Sequence, residues 1–140
     1  IIGFEFIKEK NVIGFSNSAF RAELIPEKLS IPQDVAVVDW FFYTLLLHAG
    51  HKAVFSNEMI TYYRQYSDNM IGINNETLDN YKKKLALKAM HYRYLSSSFT
   101  EFEELAKKYS KEKNLTDIQV STLLQNNKIT YPLWWENIKI

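Results

Sequence analysis

Val35-Ala36-Val37-Val38-Asp39-Trp40-Phe41-Phe42-Tyr43-Thr44-Leu45-Leu46-Leu47-His48-Ala49-Gly50 is the stretch that decides how this chain is read. Between residues 37 and 49 the apolar side chains are nearly continuous, which suits a helix buried on most sides, and Gly50 sits where a left-handed C-cap residue would stop it. A carboxylate inside such a run must be paired or held at the mouth of a cleft, because an unpaired buried charge is costly. Asp39 therefore has two compatible readings. It is the N-cap or first-turn acid of the helix it opens, favoured by the positive end of the helix dipole. It is also placed, at a helix start beside a cleft, to accept a proton from a substrate hydroxyl. Asp39 and His48 interrupt the run, so it falls short of the roughly 20 apolar residues of a membrane span.

On the N-terminal side, residues 1–7 alternate loosely and carry β-branched and aromatic side chains, which predicts a strand. Lys8-Glu9-Lys10-Asn11 turns the chain into a second short strand over 12–15. An isolated hairpin is only marginally stable, so these strands are expected to pair with a sheet contributed by sequence upstream. Ser16 or Asn17 is expected to cap a short helix reaching Leu24, before the two prolines of 26–34 make a loop. On the C-terminal side, 52–56 and 59–64 predict two further strands, 65–75 a loop, and 77–95, 100–111 and 116–125 three helices. The fold class expected is thus mixed α/β, with short strands and one buried helix over 1–75 and a mainly helical region over 76–140.

The 140 residues are 46% hydrophobic and 24% charged with a net charge of +1, which excludes a disordered chain. Residues 76–140 are modestly basic, far below the density of a nucleic-acid binder, so no nucleic-acid partner is expected. Without cysteine there is no disulfide and no thiolate metal site, and a reducing, cytoplasmic setting is the natural expectation. The chain opens on Ile1 without a secretory signal, which reads as a piece of a longer protein. His48, His51 and His91 lack metal-ligand spacing, and no nucleophile elbow, phosphate loop or dinucleotide fingerprint occurs.

Four segments in order carry a further signal. They are Asn11-Val12-Ile13-Gly14-Phe15-Ser16-Asn17-Ser18-Ala19-Phe20-Arg21, then Asp39-Trp40, then Gly50-His51-Lys52-Ala53-Val54-Phe55, then Tyr62-Tyr63-Arg64-Gln65-Tyr66-Ser67-Asp68-Asn69. Together they resemble the acceptor-side, second half of a family 2 glycosyltransferase, over residues 11 to 73. The resemblance implies an incomplete GT-A-type domain. Its activity would be inverting transfer of a sugar from a nucleotide-sugar donor to a hydroxyl of a glycan or lipid-linked acceptor, in the biosynthesis of a bacterial-type polysaccharide.

The resemblance makes Asp39 the catalytic base, and Ser16, Asn17, Trp40, Arg64, Tyr66 and Asn69 the substrate-binding residues. Trp40 would stack on a sugar face, though an aromatic there is also ordinary core. Ser16 and Asn17 would line the sugar site, or merely cap a helix. Arg64 would meet diphosphate oxygens, or pair with Asp68 or Glu58. Val38 stands where the family often has Glu, and Tyr66 where it usually has His. The resemblance further implies a divalent ion, Mg or Mn, in the full-length enzyme, held by an Asp-x-Asp that these residues lack, so this chain alone is expected to bind no metal and transfer no sugar.

The helical region lies outside the resemblance. Lys82, Lys83, Lys84, Lys88 and Arg93 with Trp134 and Trp135 suggest peripheral contact with an anionic membrane, against the plainer reading of a solvated face and a packed terminus. The rival to the enzyme is a non-catalytic helical interaction module for a protein or anionic lipid partner.

Overall fold

The computed structural model describes residues 1–27, 29–58, 60, 62 and 77–126. Of these, 57% are helical and 2% lie in strand, and they contain no sheet. The mixed α/β expectation is therefore corrected to a mainly helical fold. The described residues form two compact units, one of 1–31 with 38–58 and the other of 32–37 with 77–126.

The first unit is built on the helix α2, Val38–His48, after a single helical turn α1, Phe4–Ile7. The expected strand over 1–7 coils because, among the described residues, its only ladder partner is Ala53, which exchanges both backbone hydrogen bonds with Ile2 in one antiparallel bridge. The next amides find local acceptors instead, Phe6 on Gly3 and Lys8 on Phe4. Phe4 and Ile7, three residues apart, then share the face that meets α2. The Phe4 ring packs edge-on against His48, with centroids 5.0 Å apart, and the wholly buried Ile7 accepts the Trp40 indole N–H at 2.9 Å.

The expected strand over 12–15 is likewise absent. Gly14 donates its N–H to Asn17 Oδ1 at 3.0 Å and its carbonyl accepts from the Ser18 hydroxyl, so short polar side chains capture the backbone and Phe15–Asn17 closes as a 3₁₀ turn. The expected helix to Leu24 reduces to that turn and a second, Ala22–Leu24. Ile25 before Pro26 is extended, as the proline ring requires. In place of a strand over 52–56 there is the Ala53 bridge followed by exposed Val54 and Phe55. Most of the strand expected over 59–64 lies outside the described residues, and Ile60 and Tyr62 are exposed.

The buried helix itself is present with the bounds expected to within a residue. Trp40, Phe41, Phe42, Tyr43, Thr44, Leu46 and Leu47 are all buried. Gly50 adopts φ 92° and donates to Leu47, while His51 donates to Leu46, the pair of hydrogen bonds that ends a helix through a left-handed glycine.

The second unit packs three helices, α3 Leu78–Ser96, α4 Glu103–Glu112 and α5 Asp117–Asn126, with a 3₁₀ turn Thr100–Phe102 leading into α4. Thr77 caps α3 by accepting from the Asn80 amide. Thr116 and Gln119 cap α5 reciprocally, each side chain taking the other's backbone N–H. The core is an aromatic column in which Tyr92 lies nearly parallel to Tyr109, centroids 5.2 Å apart, with Phe102 behind it and Leu85, Leu95 and Val120 around it. Asp34 joins this unit by accepting from Tyr94 and Arg93.

The basic stripe of α3 does not form one solvated face. Lys84 and Lys88 are buried, and Lys88 donates to the Tyr109 hydroxyl. Lys82 pairs with Asp117, Arg93 pairs with Asp34, and Lys83 is exposed. Trp134 and Trp135 lie outside the described residues. No helix among the described residues is long and apolar enough to cross a membrane.

Candidate active site

Asp39 occupies the first turn of α2, one residue past its start, so it is a first-turn acid and not the N-cap. Its Oδ1 accepts two hydrogen bonds, one from the Trp40 backbone N–H at 2.7 Å and one from the Asn11 side-chain amide at 3.3 Å. The second fixes the orientation of Asn11, since exchanging its nitrogen and oxygen would set a carbonyl against a carboxylate. Asn11 Oδ1, at the far end of the amide, is buried and has no hydrogen-bond partner among the described residues. The free N-terminal amides of α2 stabilise negative charge at this position.

The other carboxylate oxygen looks toward the Gly14 turn. A methyl group built on Gly14 would lie 3.5 Å from Asp39 Oδ2, 3.3 Å from Asn17 Oδ1 and 3.8 Å from Ser16 Oγ. Gly14 is therefore the point where the carboxylate, the Asn17 amide and the Ser16 hydroxyl converge, and the absence of a side chain there leaves them room. Ser16 and Asn17 are exposed, and Asp39 is half-buried. Three of the residues singled out from the sequence, Asp39, Ser16 and Asn17, are thus brought together from positions more than twenty residues apart.

Trp40 is not part of this surface. Its side chain is wholly buried and its indole N–H is spent on the Ile7 carbonyl, so it offers no face for stacking and serves to lock α1 onto α2. Arg64, Tyr66 and Asn69 lie outside the described residues.

Two contributors escaped the sequence reading. Asn11 and Gly14 fall within the quoted motif, but nothing local marks an asparagine as the partner of a carboxylate 28 positions later. Phe15 and Phe20 also border the site. Each is a little under half exposed, and each packs against Phe42 and Tyr43, which follow Asp39 by three and four residues on the same side of α2.

Comparison with protein-family models, with curated proteins and with solved structures finds no match to this chain. Among the described residues, no group of three or more His, Cys, Asp or Glu side chains comes together to hold a metal ion. Among the described residues, Asp39 has amide and hydroxyl neighbours and no second carboxylate.

Proposed function

We propose that this chain supplies the acceptor side of an inverting glycosyltransferase, with Asp39 as the base. The proposal rests on the resemblance of the motif order and, above all, on one observation: Asp39 Oδ2 stands beside Gly14 where the exposed Ser16 and Asn17 converge. An acceptor hydroxyl entering there loses its proton to Asp39 while its oxygen attacks the anomeric carbon of a nucleotide sugar. The new C–O bond forms as the bond to the diphosphate breaks, and the nucleoside diphosphate departs with the electron pair, inverting the anomeric configuration. Asn11 holds Oδ1, so the second oxygen is presented in one orientation.

A second reading is favoured by the helical character of the described residues, which contain no sheet. In it the chain is a non-catalytic interaction module and Asp39 only a first-turn acid. The test is acceptor-dependent release of nucleoside diphosphate from a panel of nucleotide sugars by the full-length protein that carries these residues. Release with an inverted anomeric signal by NMR supports transfer, and no release with any pair sinks it in favour of the module.

A further inference from the structure

We propose that Phe15 and Phe20 form a stacking platform for the apolar face of a pyranose ring, which makes the acceptor a sugar residue and not an alkyl chain. This rests on the transferase reading and deepens it.

Phe15 is 45% exposed and Phe20 42%, although both rings are anchored underneath by Phe42 and Tyr43 at centroid separations of 5.0 to 6.2 Å. The rings are therefore held in place by packing while presenting aromatic surface to solvent. The anchor is itself fixed, because the Tyr43 hydroxyl bonds the Ser18 hydroxyl at 2.6 Å, and Ser18 in turn bonds the Gly14 carbonyl.

Position relative to the carboxylate selects the ligand. Phe42 and Tyr43 lie one helical turn beyond Asp39, so the rings they anchor belong to the same end of the helix as the carboxylate. The turn that carries Phe15 also carries exposed Ser16 and Asn17. Aromatic surface bordered by a hydroxyl, an amide and a carboxylate suits a molecule with one C–H face and an equatorial rim of hydroxyls. An alkyl chain would make no use of that polar rim.

Octyl β-D-glucopyranoside, below its micelle-forming concentration, separates the two occupants within one molecule. In saturation-transfer NMR with the protein, the expected result is strongest transfer to H1, H3 and H5, which share one apolar face of the ring. Phe15→Leu keeps an apolar contact with Phe42 and is expected to weaken ring contact roughly five-fold, whereas Phe15→Tyr retains it. Transfer mainly to the octyl protons, no transfer at all, or ring contact unchanged in Phe15→Leu at an unaltered melting temperature would each overturn the proposal. Sugar binding in a full-length protein without transferase activity would refute the enzyme reading while leaving the platform standing.

Discussion

The Asn11 side-chain amide donates to Asp39 Oδ1 across 28 residues of chain, joining a loop that follows α1 to the first turn of α2. The contact orients the carboxylate from outside its own helix, and the Trp40 amide braces the same oxygen from within it. Removing the Asn11 donor leaves the Trp40 amide as the remaining brace, so the carboxylate is oriented less tightly.

Asn11→Leu is accordingly expected to slow transfer roughly tenfold through kcat while leaving the acceptor KM near its original value, the signature of lost orientation. The loss of folding stability is expected to be about 1 kcal/mol. Steady-state kinetics together with urea unfolding checks both halves. A rise in KM alone would make Asn11 a substrate contact.

Trp40→Phe removes one of two donors to the buried Ile7 carbonyl, which keeps the Lys10 amide, and opens space in a fully enclosed position. Urea unfolding is expected to show a loss of roughly 2 to 4 kcal/mol. If Trp40 were a stacking residue at the substrate surface, the same change would weaken substrate binding and spare stability.

Thr44 is wholly buried on α2, and its hydroxyl has no hydrogen-bond partner among the described residues. Replacing it with the similarly shaped valine removes a polar group that folding takes out of water. Thr44→Val is expected to raise stability by about 1 kcal/mol, readable as a higher urea midpoint. A lower midpoint would mean that the hydroxyl is satisfied.

His91 in the core of the second unit is held at a pKa of about 3, chiefly by burial and secondarily by the nearby Lys88 charge. The unfolded chain takes up this proton near pH 6.5 and the folded protein only near pH 3, so between those values the unfolded state binds more protons and stability falls as the pH is lowered. The slope approaches about 1.4 kcal/mol per pH unit. His91→Leu is expected to flatten this dependence between pH 6.5 and 4 in urea unfolding. An unchanged slope would place the acid sensitivity elsewhere.

The helices were legible in the sequence where their signals were local. Gly50 stops α2, Thr77 opens α3 and Thr116 with Gln119 opens α5, each through a cap whose chemistry sits within a few residues of the helix end. The strands were not, because β-propensity describes a side chain that fits a sheet and does not supply the sheet. Residues 1–7 have the composition of a strand, yet among the described residues only Ile2 finds a ladder partner, and the 3-residue spacing of Phe4 and Ile7 against α2 prevails. In the candidate site, Asp39 was marked by a charge in an apolar run. For Trp40 the sequence leaves stacking and core both open, because it gives no sign of which side of a helix an aromatic takes when neighbours on both sides are apolar. Asn11 was missed because its role exists only after folding.

Asp39→Asn in the full-length protein decides whether Asp39 is a base, by comparing the initial rate of sugar transfer with the urea unfolding curve. The amide keeps an oxygen for the Trp40 and Asn11 donors but cannot take the acceptor's proton. A role as base requires a fall in kcat of roughly 10² to 10⁴-fold, with a stability change below about 1 kcal/mol from the lost charge at the helix start. Transfer at the wild-type rate, or a loss of activity matched by a loss of folding, would contradict it and leave Asp39 a residue of the helix start alone.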